Sequence, residues 1–253
     1  MNIAIRWLKY LALIPVVLLL FIEGLWLIAI PEDLIKERLF SHVPAGVDIE
    51  IKEIKKNLFS SLYIPHLKVR KRDLEITIND IKTSIHYPSL LKGKLMLTLR
   101  AEDGIINGLL SPSGDMAIKI KGYDLSQVKN LFLRGSGSIN VESEIIDKKG
   151  KIDFSLTDAR LEPFNDSGIY LPLNLIDTIK ARLDIDGRDI IIESMTLSGR
   201  DIYGRVKGKI KDNRAELIIE LMPEKELNNT LMLLMPGSMV SPGYFRIDFK
   251  REL

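Results

Sequence analysis

Hydrophobic positions along the chain fall into two regimes. From Tyr10 to Pro31 the run YLALIPVVLLLFIEGLWLIAIP is apolar except for Glu23, and roughly 20 such residues at about 1.5 Å rise suffice to cross a hydrocarbon core of about 30 Å. This predicts one N-terminal transmembrane helix over 10–31, bent at Pro15. The run exceeds the about 7–15 apolar residues of a signal-peptide core, and no small-x-small cleavage site follows it, so it reads as an uncleaved anchor. After Pro31, acids in the first turn (Glu32, Asp33) and apolar Leu34, Ile35, Leu39 and Phe40 predict a short amphipathic linker helix within 32–46, lying on the membrane surface.

From Val47 the period drops from 3.6 to 2. Val47, Ile49 and Ile51 alternate with Asp48, Glu50 and Lys52, and the same alternation recurs over 74–79, 95–100, 116–121, 138–144, 151–156, 181–186, 189–193, 204–210, 215–221 and 244–249. Such runs are half-buried antiparallel strands. Asp186-Gly187 and Lys149-Gly150 are hairpin-type turns, and Lys211-Asp212-Asn213 separates two more strands. Two stretches predict helices instead, 124–132 opened by a capping Asp124, and 172–180. Without a linker rich in Pro, Gly or Ser, residues 47–253 read as one domain. The fold class is therefore mainly β, an N-terminal transmembrane helix followed by one elongated, curled antiparallel β-meander with a few short helices. With so few helices to cover an apolar sheet face, the meander becomes either a closed barrel or sandwich or an open, curled half-pipe.

Charge adds topology. Arg6 and Lys9 precede the span while its far flank is balanced, which places residues 1–9 in the cytoplasm and residues 32–253 across the membrane, in the periplasm if the cell is Gram-negative. The chain of 253 residues has 36 Lys and Arg against 34 Asp and Glu, a net charge of +2, so it carries no excess positive field for nucleic acid. It has no cysteine, which removes disulfides, thiol chemistry and a lipobox anchor.

Candidate chemistry is sparse. His42, His66 and His86 match no metal-binding spacing and read as surface or strand-end residues. Asp184-Ile-Asp-Gly187-Arg-Asp189 lacks the full calcium-loop pattern and reads as a hairpin turn. Gly135-Ser-Gly137 lacks the setting of a phosphate loop and reads as a bend between strands. Gly204-x-x-x-Gly208 lies in an alternating strand, where it is no dimerisation motif of membrane helices. Neither a nucleophile elbow nor a phosphate loop occurs, so no catalytic residue, cofactor site or metal site is assigned and the chain is read as non-enzymatic. Two groups remain. Glu23, beside Gly24, is costly inside a membrane; it is either wetted near the outer interface or meets another protein's helix, with Gly24 allowing close approach. Met232, Met235 and Met239 gather near the C-terminus, where methionines either fill a core or adapt to an apolar partner or lipid.

The stretch from Leu175 to Pro223, and within it Leu197-Ser-Gly199-Arg-Asp201, Gly208-Lys-Ile210 and the alternating strand Leu217 to Pro223, resembles the type II secretion system protein N family. Pro88-Ser-Leu-Leu-Lys-Gly93, the turn at Asp103-Gly104 and the closing Ser241 to Phe249 are similar to the same pattern. These short glycine-based motifs are shared with AsmA-like periplasmic β-groove proteins. The resemblance implies an inner-membrane component of protein secretion, with secretion-system inner-membrane or periplasmic proteins and the lipid bilayer as partners. The AsmA-like alternative implies a groove that binds or transports lipid through phospholipid acyl chains. The family carries no catalytic residues to transfer.

Overall fold

The computed structural model describes residues 21–252, with breaks at 22, 42–45, 58–60, 72–73, 86–88, 90–93, 103, 130–133, 167–168, 188, 213 and 236. Residues 1–20, with the expected cytoplasmic end and the first half of the expected span, lie outside this set, as does Leu253. Among the described residues no helix is long and apolar enough to cross a membrane. The end of the expected span is helical and closes in a π-helical turn, Leu25–Ala29, followed by the helix Glu32–Ser41 with acids in its first turn.

The body is one antiparallel sheet. Its strands are β1 (Val47–Ile51), β2 (Lys55–Asn57), β3 (Ser61–Lys71), β4 (Leu74–Ile85), β5 (Leu95–Ala101), β6 (Gly104–Leu110), β7 (Met116–Asp124), β8 (Val128–Lys129) and β9 (Gly135–Ile146). They continue as β10 (Lys149–Leu161), β11 (Phe164–Asp166), β12 (Ile169–Leu171), β13 (Thr178–Asp186), β14 (Asp189–Ser198), β15 (Ile202–Lys211), β16 (Arg214–Pro223), β17 (Met239–Ser241) and β18 (Tyr244–Glu252). Sixteen of them form one sheet, whose open path runs from β1 to β17 in almost strict chain order, with β2 beside β3 and β8 beside β4 lying off that path; β11 and β12 pair separately. The meander is thus an open sheet, not a closed barrel. Every strand expected from the alternation is present.

Period-2 patterning puts one apolar residue of each strand opposite the next. From β5 to β18 one row of partners runs Leu99, Ile106, Ile120, Val141, Phe154, Ala181, Met195, Val206, Ile219, Ile247. At the other edge, Ile49 pairs Val69, which pairs Ile76. Two cores form on this face. The larger, around Leu156, Ile176, Leu221, Leu231 and Phe245, is covered by the β11–β12 hairpin, a 3-10 turn at Leu173–Leu175 and the helix Lys225–Leu234. The smaller gathers Ile51, Ile54, Ile64 and Ile81. Between them Leu95, Leu97, Ile106, Met116 and Ile118 on β5–β7 stay half-buried. The sheet curls there. β8 returns to pair Val128 and Lys129 with Ile76 and Glu75, in line with β5 on the same side of β4, and the Tyr123 hydroxyl donates to the Thr77 carbonyl at 2.9 Å.

The polar face is held by cross-strand ion pairs. Lys119–Glu142 and Arg182–Asp153 are each 2.8 Å, and Lys149–Asp186 is 3.0 Å. Glu75 receives Lys68 at 2.8 Å and Arg70 at 3.0 Å; these hydrogen bonds, Lys68's first, hold its carboxyl below the usual range. Except for the half-buried Lys68–Glu75 pair, these are exposed pairs that set register more than stability.

Several local expectations change. The 124–132 helix is only a 3-10 turn, Leu125–Gln127; Asp124 does cap it, accepting from the Ser126 amide at 2.9 Å, a bond that lowers its pKa. The 172–180 helix is likewise reduced to Leu173–Leu175, because Thr178 onward is drawn into the sheet between β10 and β14. Gly135 and Gly137 lie within β9, not in a bend between strands. The β9–β10 turn sits two residues before the expected place: Ile146 pairs Lys149, and the turn residues Asp147 and Lys148 both have positive φ, 50° and 65°. Gly150 instead serves a close approach, since a Cβ there would lie 2.1 Å from the Glu144 carbonyl oxygen.

Replacing Asp147-Lys148 by Asn-Gly, which suits a turn with two positive φ angles, should raise stability by about 1 kcal/mol. Gly150→Ala should lower it by about 1–3 kcal/mol, because backbone must move to admit the methyl. Urea unfolding of the two variants in parallel checks both signs.

Candidate functional site

Three regions have the burial or exposure expected of a working surface: the junction with the expected anchor, the apolar face, and the C-terminal edge. At the junction, Lys56 of β2 places its ammonium against the carbonyl oxygens that end the preceding helix, 3.2 Å from Trp26 O, 2.5 Å from Leu27 O and 2.7 Å from Ile30 O. An ammonium at a helix C-terminus satisfies carbonyls left without intrahelical donors and meets the negative end of the helix dipole. The Trp26 indole N–H donates to the Asn57 carbonyl at 3.0 Å, and the Lys56 amide donates to Glu32 Oε1 at 3.2 Å. One short strand therefore clasps the end of the expected span. Its sequence cue is slight, a Lys-Lys-Asn run without alternation.

Glu23 is 5% exposed and is engaged. A Cβ on Gly24 would meet nothing within 4 Å, so the space beside Gly24 is open.

On the apolar face, the larger core holds a half-open cavity of about 290 Å³ whose lining exposes no polar surface. Phe154, Met195, Val206 and Ile219 of the sheet form its floor; Phe164, Leu171 and Leu173 of the overlying segment form its roof. The cavity is about twice the ~150 Å³ apolar void that stays dry and takes up benzene. On the opposite face a wider groove of about 840 Å³ runs over Lys119, Lys121, Asn140, Glu142, Asp153, Ser155, Lys180 and Arg182. Its charges face solvent and are largely matched across strands, so it is a wet sheet face.

At the C-terminal edge the three methionines separate. Met235 is 4% exposed and belongs to the core with fully buried Leu231, whereas Met232 and Met239 are 42% and 37% exposed. Around the latter two, Leu233 (84%), Leu234 (45%) and Val240 (63%) complete an exposed apolar surface on the helix Lys225–Leu234 and β17. The helix was not expected from the sequence, although Leu227, Leu231 and Leu234 fall at helical spacing; Asn228-Asn229 interrupts the apolar run and hides it.

Among the other residues considered, His66 Nδ1 lies 2.8 Å from Asn79 Oδ1 across β3–β4, while His42 and His86 lie outside the described residues. Asp184 to Asp189 form a hairpin turn with Gly187 at positive φ, and Gly204 and Gly208 lie in β15. Among the described residues no group of three or more His, Asp or Glu is placed to hold a metal. Comparison with known protein families, curated proteins and solved structures finds no match in any of the three.

Leu231→Ala and Met235→Ala should each cost about 2–5 kcal/mol, whereas Met232→Ala and Met239→Ala should stay within about 0.5 kcal/mol of the parent. Thermal unfolding followed by circular dichroism separates the two pairs.

Proposed function

We propose that this chain is a non-enzymatic component of the type II protein secretion system, anchored in the bacterial inner membrane by residues 10–31 and acting in protein transport through a periplasmic β-domain. One observation carries the reading. The domain is clasped to the end of the expected anchor at its β2 side, and its exposed apolar surface (Met232, Leu233, Leu234, Met239, Val240) lies at the opposite end of the strand order. Such a surface marks a docking site, and holding it many strands from the membrane junction suits a part that bridges to other parts of an assembly. The resemblance over Leu175 to Pro223 supports the same reading. Its glycine motifs fall on β14 to β16, where Gly208 admits the Glu216 carbonyl oxygen to 2.1 Å of a would-be Cβ, so they shape the sheet and carry no chemistry. Photo-crosslinking from positions 233 and 240 in the membrane-anchored protein should capture secretion-system inner-membrane or periplasmic proteins, and Leu233→Asp should abolish the capture from position 240. Recovery of no such protein sinks the reading.

The all-apolar cavity favours a second reading, a groove that binds or transports lipid. Together with the half-buried apolar stretch on β5–β7, it offers a path for an acyl chain without any polar group to desolvate. Native mass spectrometry of the detergent-extracted chain should then show bound phospholipid that is lost on Val206→Trp, which fills the cavity. A chain that carries no lipid refutes this reading.

A further inference from the structure

Among the described residues the two ends of the open sheet present unpaired strand edges of different chemical character. β18 is hydrogen-bonded along one side to β16, while β17 covers only its start: Met239 pairs Phe245, Ser241 pairs Tyr244, and the Arg246 amide donates to the Ser238 carbonyl at 2.8 Å. Among the described residues nothing pairs with the rest of that outer edge. Backbone groups alternate sides along a strand. Since the amide of Arg246 points outward, those of Asp248 and Lys250 do as well.

From this geometry we infer that β18 is a homodimerisation edge, at which a second copy of this chain adds its own β18 antiparallel, about a two-fold axis at Phe249. That register sets Asp248 opposite Lys250 of the second copy and Lys250 opposite its Asp248. Both residues are exposed on the polar face, where Asp248, among the described residues, meets Arg246 of its own strand at 3.3 Å. Phe249 meets its symmetry mate on the apolar face, at a position where backbones approach closely and side chains touch. Outward backbone groups thus face outward backbone groups, charges face opposite charges and the apolar face continues from one copy into the next, as an isologous two-fold contact requires.

The other edge and the mixed arrangement fit less well. Self-pairing of β1 about Ile49 would set Asp48 opposite Glu50, a like-charge contact, and both acids already face Arg70 at 3.8 Å. Pairing β18 with β1 of another copy would be parallel, because the alternating order gives both strands the same direction. It would stand alone in an antiparallel sheet and leave a further open edge. The inference is independent of the secretion and lipid readings, since it needs neither the anchor's partner nor a ligand.

Sedimentation equilibrium of the full chain in detergent micelles should show a monomer–dimer equilibrium. Asp248→Lys or Lys250→Asp alone opposes like charges twice across the axis and should weaken it about tenfold; the two together restore opposite charges and should restore the dimer. In this cysteine-free chain, the pair Asp248→Cys with Lys250→Cys should crosslink under mild oxidation, whereas Arg246→Cys with Lys250→Cys, out of register, should not. A strictly monomeric chain, a dimer indifferent to the single reversals, or equal crosslinking in both cysteine pairs overturns the inference.

Discussion

The constraint on which this structure depends is the need to cover one apolar face of a sheet that does not close. Alternation along most strands sends about half the side chains to one side, and antiparallel pairing lines them up strand after strand. A barrel would bury such a face on itself. Here the path from β1 to β17 stays open, so cover must come from elsewhere: the β11–β12 hairpin, a 3-10 turn and one helix over the C-terminal strands, and the inward-turned β1 to β4 at the other end. The middle strands receive the least cover, and the polar face is left to cross-strand ion pairs and water.

Curvature follows from a few backbone features. In β3, Pro65 lacks an amide, and it falls in the gap between the segments paired with β1 and with β2, where no neighbour asks for that donor. Opposite it on β4, Asp80 takes a positive φ of 52°, and the two irregularities shift the alternation of both strands together, so that Ile64 and Ile81 join the same small core as Leu67 and Ile78. Where β14 bulges against β15 between Ile192 and Met195, Gly208 lets the backbone of Glu216 come close from the other side. Such bulges bend and twist a sheet without breaking it.

These details explain what the sequence made legible. Strands with clean alternation, such as 74–79 or 215–221, are readable because a period of 2 has one explanation in water, one wet face and one dry. β3 is not, because the phase of the alternation changes at Pro65, from Leu62 and Ile64 before it to Leu67 and Val69 after it, and its identity rests on the neighbours it pairs with. The 172–180 segment misled for the opposite reason. Its apolar spacing suits a helix, but Thr178, Ile179 and the residues after them gain more from filling the gap between β10 and β14 than from a short isolated helix, which is marginal on its own. The lower end of the sheet shows the same limit: Lys56 carries no pattern, and its role depends on three carbonyls supplied from Trp26, Leu27 and Ile30, some thirty residues earlier.

Near-neutral net charge, which at first only argued against nucleic acid, acquires a place in the structure. On the interior strands acids and bases sit opposite each other, as Asp153 does Arg182 and Lys149 does Asp186, so the charge cancels locally along the wet face. At the two edges it cannot cancel, because each edge strand has a neighbour on one side only. β1 ends the sheet with two acids, both turned back onto Arg70. β18 ends it with Arg246, Asp248 and Lys250, an alternating set in which a single base answers a single acid within the strand. An edge whose charges are turned inward resists addition of another strand, whereas one that carries both signs in alternation invites an antiparallel copy of itself. The same charge pattern that matches acids with bases along the body of the sheet therefore gives its two ends different behaviour, and that asymmetry, more than the overall balance, is what the charge pattern encodes.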